Sequence, residues 1–337
     1  MKASDIKVGV VGYGGAFNMG KAHLNEMKRA GMTPVAVAEI DPARLAVAQT
    51  DFPGIQTYPT LTAMLKKSDV NLVTMITPHN THAKLGLEAL RAGRHVVCEK
   101  PMAITTAECD AMIAAAKKNR VIVSTYHNRH WDGRAMQAVK DVVTDRCIGD
   151  IVRVEAHMGS RGKPGDWWRT SKSISGGILY DWGVHLLEYS LQLIRSEIVE
   201  VTGFAKNGYW ETKWKADSNE DEGYAVIRFK NGVVLTLLIT TLDSNPKRGW
   251  VELVGTEGNY IIDGGENTHI LHDGKKTTST TSQMPDEGWR FYQNVADHLT
   301  KGTKLVITGE WARRPIHILD LANQSARQGR SLKARYQ

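Results

Sequence analysis

The stretch "KVGVVGYGGAFNMG", residues 7–20, decides the fold. Residues 7–12 form a short β-branched run ending in glycine, the pattern of a buried strand. A glycine-rich turn follows at once. A helical stretch then runs from about Asn18 to Ala30, where Gly31 stops it. Strand, glycine turn and helix in that order are how a dinucleotide-binding βαβ unit opens, the competing reading being a glycine-rich turn in a sheet that binds something else. Its fingerprint is G-x-G-x-x-G. Gly12 and Gly14 fill the first two places, for the tight turn and for close backbone approach to a pyrophosphate. Phe17 stands in the third place, and the next glycine, Gly20, comes three residues late.

Outward from this stretch the alternation continues to residue 125. Strands are predicted at 34–40, 55–58, 70–77, 95–100 and 121–125. Between them, Asp41 caps a helix with Pro42 in its first position, as helix starts prefer. A short helix covers Thr60–Lys67, another runs from Thr81 to Ala92 before Gly93, and Thr105 with Glu108 forms a capping box. Six strands alternating with helices predict a doubly wound parallel sheet of the Rossmann type. Ligands bind such sheets at the carboxyl ends of the strands. That rule marks Gly12–Met19, Glu39, Thr77–His82, Glu99–Lys100 and Tyr126–Arg129 as one rim. Glu39, ending the second strand, is placed to accept hydrogen bonds from both ribose hydroxyls of an adenosine. A carboxylate there repels a 2′-phosphate, so NAD is expected rather than NADP.

After Ile151 the strands lengthen and the turns tighten. Strands are predicted at 151–159 and 199–208, a hairpin at 224–241 about Asn231-Gly232, a second at 250–263 and a smaller one at 269–277. A helix at about Asp132–Asp145 leads in, and a last helix in "RRPIHILDLANQSARQGRSL" ends at Gly329. The expected fold class is therefore a Rossmann domain followed by an α+β domain, with an open, mainly antiparallel sheet and helices on one face. The predicted division is 1–125 for NAD binding, 126–310 for substrate and oligomerisation, and 311–337 as a C-terminal helix and tail free to pack back on the first domain. An uncovered sheet face predicts a homodimer or homotetramer through that face.

Composition limits the classes. A chain of 337 residues suits two domains, and 42% hydrophobic with 23% charged residues is ordinary for a soluble globular protein. The net charge of +7 comes from basic residues interleaved with acids, so neither nucleic acid nor membrane is an expected partner. No apolar run approaches the roughly 18 residues of a membrane span, and the N-terminus lacks a signal-peptide pattern. Cys98, Cys109 and Cys147 are odd in number, without a CxxC or metal spacing. Reduced thiols, a cytoplasmic location and no metal are the expectation.

Two segments carry chemistry. In "CEKP", Lys100 follows the fifth strand directly, which puts its amine at the rim. Glu99 is placed to hold a ribose or the lysine, and a cis bond at Pro101 would fix the lysine's direction. In "GGILYDWGVHLLEY" (176–189) an otherwise apolar helix carries Asp181, His185, Glu188 and, further on, Gln192 at i, i+4, i+7 and i+11. This is one narrow stripe, which reads as the wall of a cleft. Gly176 and Gly177 ahead of it leave room for a ligand to approach the backbone. Asp181 is spaced to orient His185 and stabilise its charge. A satisfied polar pair in a core is the competing reading of these two residues alone. Trp167, Trp168 and Trp182 offer indole faces to a sugar, although Trp182 sits off the stripe and fits a core position.

These segments resemble the Gfo/Idh/MocA family, relatives of glucose–fructose oxidoreductase and inositol dehydrogenase. The matching stretches are "VGVVGYG", "ITPHNTHAKLGLEALRAGRHVVCEKPM", "DWWRTSKSISGGILYDWGVHLLEY" and "GTEGN". The resemblance implies a catalytic trio of Lys100, Asp181 and His185, with Lys100 also at the cofactor. It implies that Thr77, Pro78, Asn80, His82 and Glu99 line the cofactor, that Asn128 lies near the nicotinamide, and that Trp168 and Arg169 stand at the cofactor–substrate boundary. "GAF" is inserted between Gly14 and Asn18, which lets Phe17, Asn18 and Met19 reach the pyrophosphate. The implied activity is NAD-dependent hydride transfer from a secondary hydroxyl of a sugar, polyol or inositol, or the reverse. Lys100, Trp168, Asp181 and His185 would meet this carbohydrate substrate. An NAD-dependent glycoside hydrolase or lyase that oxidises transiently, and a non-catalytic NAD or sugar sensor, are the alternatives.

Overall fold

The computed structural model describes residues 1–247, 249–273 and 275–335. The chain forms two compact units: Met1–His127 with Trp289–Arg313, and Asn128–Gly288 with the residues from Arg314 on. Residues 289–310, which the sequence reading grouped with the second domain, belong to the first unit.

The first unit runs β1 (Lys7–Val11), α1 (Met19–Arg29), β2 (Thr33–Ala38), α2 (Pro42–Asp51), β3 (Gln56–Tyr58), α3 (Leu61–Lys67), β4 (Leu72–Met75), α4 (His79–Arg91), β5 (His95–Cys98), α5 (Thr106–Asn119) and β6 (Val123–Thr125). The strands lie in the order β3-β2-β1-β4-β5-β6 and every pairing is parallel. The order reverses between β1 and β4, which opens a crevice at their carboxyl ends. Local chemistry sets the helix starts. Asp41 Oδ1 accepts the Ala43 N–H at 2.9 Å, Thr60 Oγ1 accepts that of Ala63 at 3.1 Å, and the Thr105–Glu108 box is closed in both directions. Val8, Val10, Leu72, Val73, Val96 and Val97 are fully buried, as a sheet covered on both faces requires. The returning helix Arg290–Lys301 buries Phe291, Tyr292, Val295 and Ala296 in this unit.

The second unit begins with α6 (Gly133–Ala138), which continues into a π-helical stretch, Val139–Thr144. It continues through β7 (Ile151–Gly159), α7 (Lys172–Ser175), α8 (Leu179–Leu193), β8 (Ile198–Lys206), β9 (Glu222–Phe229), β10 (Val234–Thr240), β11 (Val251–Gly255), β12 (Gly258–Ile262), β13 (Glu266–Asp273) and β14 (Lys275–Ser282). Following these are α9 (Arg290–Lys301), of the first unit, α10 (Gly309–Gln328), within which the unit boundary falls, and β15 (Leu332–Lys333). The nine-stranded sheet has the order β14-β13-β12-β11-β7-β10-β9-β8-β15. Its hairpins are antiparallel as expected, but the central pair β7–β10 is parallel, so the sheet is mixed. The turn of the smallest hairpin, at position 274, lies outside the described residues.

Burial alternates along these strands. Val154, Ala156, Leu235, Leu237, Val251 and Leu253 are buried, and α8 packs across β7, β10 and β11. The alternate positions carry Arg153, Glu155 and Arg228, with ion pairs such as Arg228–Glu200 at 2.8 Å. The C-terminal helix starts at Gly309, earlier than the sequence suggested, because the Thr308 hydroxyl caps it by accepting the Trp311 N–H at 3.1 Å. Pro315 consequently lies inside the helix.

Candidate active site

The glycine loop shows what each glycine does. Gly12 has φ +98°, and a Cβ there would lie 2.7 Å from the Ile76 carbonyl oxygen. Gly14 has nothing within 4 Å of an added Cβ, so its backbone borders open space. Gly20, the second residue of α1, is the residue the fingerprint count missed. A Cβ there would stand 2.5 Å from the Tyr13 ring and 3.1 Å from the Gly12 carbonyl oxygen. Gly20 therefore takes the packing role of the third glycine, and residues 15–17 are the inserted ones. Asn18 completes the loop in the left-handed region at φ 50°, Phe17 is 54% exposed, and Met19 begins α1. A tight first turn, an open second glycine and a close third one fit a dinucleotide pyrophosphate. The residues that would hold it are Gly12, Gly14 and the Phe17–Met19 backbone.

Glu39 faces this loop. Its Oε2 accepts the Tyr13 N–H at 2.6 Å and its Oε1 the Asp41 N–H at 3.1 Å. Arg44 crosses from α2 and donates from Nε to the Tyr13 carbonyl at 2.8 Å. The Tyr13 hydroxyl donates to Asp51 at 2.9 Å, and Asp51 also holds Lys21 at 2.7 Å. Burial first, and then the Asp51 carboxylate, push the Tyr13 phenol well above its ordinary value.

On the other side of the crevice the Lys100–Pro101 bond is cis. The Glu99 carboxylate accepts the Lys100 N–H at Oε2 (2.9 Å) and faces His23 Nε2 with Oε1 (3.0 Å). Burial alone would raise the Glu99 pKa. The His23 hydrogen bond and charge, with the charge of Lys100, outweigh it and hold the carboxyl at about 2. His82 is fully buried and bridges two carbonyls, with Nδ1 2.8 Å from Pro101 O and Nε2 2.8 Å from Thr77 O. Burial lowers its pKa against those two bonds. His82 thus clasps the β4 and β5 rims together. Thr77 and Thr81 share a 2.5 Å hydroxyl contact, Pro78 precedes α4 directly, and Asn80 is exposed on its first turn.

In the second unit, Asp181 and His185 lie one turn apart on α8. Arg169 Nη1 donates to both Asp181 oxygens, at 2.8 and 2.9 Å. Its guanidinium also lies 5.2 Å from each of the Trp167 and Trp168 ring centres. His185 is 6% exposed and meets the Trp182 ring at 5.7 Å, and Trp182 packs on Trp250. Asn128 opens a short 3₁₀ segment, Asn128–Trp131, in the same unit.

Two expectations change. The stripe on α8 does not face a cleft along its length. Glu188 is 0% exposed and meets His130 Nδ1 at 2.6 Å, so its carboxylate belongs to a buried pair. The glycines ahead of α8 are also not open to a ligand. A Cβ on Gly177 would meet the Glu220 carboxylate at 2.8 Å, and one on Gly176 the Tyr180 ring at 2.9 Å. Sequence reasoning missed residues 217–220, which grip this loop. Asn219 Nδ2 donates to the Arg169 carbonyl at 2.6 Å, Glu220 accepts the Ile178 N–H at 3.0 Å, and Lys172 pairs with Glu220. Their partners lie 42–50 residues away, beyond the reach of any local pattern.

A parallel 3-2-1-4-5-6 sheet with this loop is the architecture of a Rossmann dinucleotide-binding fold. Residues 6–127 match the family model described as "Oxidoreductase family, NAD-binding Rossmann fold", and residues 136–261 match the GFO/IDH/MocA C-terminal domain. The chain belongs to the Gfo/Idh/MocA oxidoreductase family. It is similar to the scyllo-inositol 2-dehydrogenase (NADP(+)) IolW of Bacillus subtilis, at 23% identity over 98% of this chain and 96% of that protein. Likewise it is similar to the myo-inositol 2-dehydrogenase of Thermotoga maritima, at 25% identity over 85% of this chain and 81% of the relative. Among solved structures, a levoglucosan dehydrogenase in complex with NADH superposes with a TM-score of 0.83 at 21% identity, covering 98% of this chain and 100% of the other. Among the described residues, no helix is long and apolar enough to cross a membrane.

Proposed function

We propose that the chain moves hydride between a nicotinamide dinucleotide and a secondary hydroxyl of a sugar, polyol or inositol. The observation that carries this reading is the anchoring of Lys100 through Glu99 at the β5 end of a dinucleotide-type sheet. When bound, the dinucleotide supplies the hydride acceptor or donor. Lys100 holds the reacting oxygen and tunes its proton. His185 takes the hydroxyl proton, and Asp181 orients His185 and stabilises its charge. Arg169 holds the Asp181 carboxylate in place by donating to both of its oxygens. Trp168 would meet the substrate, and Trp168, Arg169 and Asn128 would contribute to holding the cofactor. Thr77, Pro78, Asn80, His82 and Glu99 would line the cofactor.

NAD is the proposed cofactor in preference to NADP; the reading is supported by Glu39, a carboxylate just after the second strand that would accept from ribose hydroxyls and repel a 2′-phosphate. The inositol relatives support the substrate class through the chemistry in their names, a ring secondary alcohol. The same reading makes the protein a cytoplasmic homodimer or homotetramer joined through the open face of the nine-stranded sheet. Light scattering that finds a monomer at micromolar concentration contradicts that assembly. The activity is tested with a panel of sugars, polyols, inositols and glycosides, each with NAD and with NADP, followed at the nicotinamide absorbance. Reduction of NAD by at least one ring alcohol is expected, and no response to any alcohol would overturn the reading.

A further inference from the structure

Beneath Lys100 runs a polar chain that the proposed chemistry does not use. His23, on α1, is 1% exposed, and its Nε2 meets Glu99 Oε1 at 3.0 Å. Its Nδ1 lies 2.7 Å from the Tyr292 hydroxyl on α9, which in turn lies 3.2 Å from the Thr74 hydroxyl on β4. The Tyr126 ring packs edge-on against the imidazole at 4.3 Å, and its own hydroxyl donates to Glu26 at 2.6 Å. One imidazole thus joins α1, β4, α9 and the end of β5, all within the first unit. The ionisable groups around it are Glu26 on its own helix, Tyr126 after β6, Tyr292 on α9, and Glu99 with Lys100 after β5. His82 on α4 also feels the Glu99 charge.

A carboxylate out of water keeps its charge and direction only when donors satisfy it. Glu99 has two such donors: the Lys100 N–H fixes Oε2, and His23 fixes Oε1. Removing the imidazole leaves Oε1 without its donor. The carboxylate must then turn or take a proton, and either change alters what Lys100 meets. A histidine that merely filled the core would not need to end on the neighbour of Lys100.

We propose that His23, held by Tyr292, is a positioning residue: it fixes the Glu99 carboxylate and through it the direction and charge environment of Lys100. This rests on the reading that Lys100 works at the reacting oxygen.

The test uses His23→Leu, His23→Gln and Tyr292→Phe in the full chain. Glutamine places an amide N–H near the imidazole Nε2 position, whereas leucine offers none. The first readout needs no turnover. The Lys100 ammonium is titrated in the cofactor-free protein by ¹³C NMR after reductive methylation, with its resonance assigned by Lys100→Arg. Its midpoint is expected to move in His23→Leu, to move less and in the same direction in Tyr292→Phe, and to stay near wild type in His23→Gln. The second readout is kinetic. His23→Leu should lower kcat by about 10- to 100-fold, with KM and the NADH dissociation constant little changed, and His23→Gln should restore most of the loss. An unmoved Lys100 titration in both His23→Leu and Tyr292→Phe, or a loss that glutamine does not restore, would overturn the proposal. Should the leucine variant not fold, Tyr292→Phe decides alone. Should no alcohol be oxidised by the wild type, the functional reading fails, while the NMR titration still decides the role of His23.

Discussion

Gly20→Ala probes the reading of the phosphate loop directly. The added methyl would stand 2.5 Å from Tyr13 Cδ2, 3.0 Å from Cε2 and 3.1 Å from the Gly12 carbonyl oxygen. Non-bonded carbons rest at about 3.5–4.0 Å, so the Tyr13 ring must move by about 1 Å. Tyr13 is 2% exposed and tied by its hydroxyl to Asp51 and by its amide to Glu39, so it has little room to yield. Overpacking of this kind costs about 1–3 kcal/mol, against a helix-propensity gain of about 1 kcal/mol for replacing glycine. The net expectation is a loss of about 0–2 kcal/mol in stability. A shift of the Tyr13–Gly14 backbone should weaken NADH binding by at least about tenfold, a difference of about 1.4 kcal/mol. Gly14→Ala is the contrast, because nothing lies within 4 Å of its Cβ. It should leave the urea midpoint unchanged while weakening NADH binding, since only the ligand meets the methyl. Urea melts and NADH fluorescence titrations on both variants make the assay. Gly20→Ala with wild-type stability and affinity would refute the assignment of Gly20, and tight NADH binding by Gly14→Ala would refute that of the open glycine.

Lys100→Ala and His185→Ala are each expected to lower turnover by about 10²–10⁴-fold, the usual worth of general acid–base groups; steady-state kinetics with a near-normal kcat would remove the residue from the mechanism. Glu99 is held at about pH 2, so its ionised form stabilises the fold above the ordinary carboxylate range, and that stability drains away as pH falls from about 5 towards 2. Glu99→Gln should therefore cost more in urea melts at about pH 6 than at about pH 3, and equal losses at both would contradict the shift. Burial pushes the Cys98 and Cys109 thiols well up and Cys147 up to about 11. At neutral pH a thiol reagent should not label Cys98 or Cys109 until denaturant is added and should label the half-buried Cys147 only slowly; rapid labelling of Cys98 or Cys109 in the native protein would contradict their burial.

The first unit was the more legible because its signals are local. Asp41 with Pro42, the Thr105–Glu108 box and the runs at 70–77 and 95–100 act within one element, and each appears in the structure within a few residues. The glycine count failed at Phe17 because the spacing rule assumes no insertion, whereas contact with Tyr13 identifies Gly20 whatever the spacing. Non-local partners could not be read. Glu188 looked like part of a cleft-facing stripe because its partner, His130, lies 58 residues earlier. Helix α9 shows a clear apolar face, but periodicity does not say which core receives it. Tyr292 on that face meets His23, 269 residues away. The parallel pairing of β7 with β10 likewise depends on topology rather than on either strand's pattern. The Arg169 grip on Asp181 joins two segments twelve residues apart, and charge alone did not single it out.

The proposed reaction is direct hydride transfer from a secondary carbinol carbon. Its most direct measurement uses an active ring alcohol from the panel, deuterated at that carbon, with NAD, and NMR of the reduced cofactor. Deuterium is expected at C4 of the nicotinamide, accumulating in step with the oxidised product. Deuterium that returns to a cleaved sugar without free reduced cofactor, or that washes out into solvent, would contradict it.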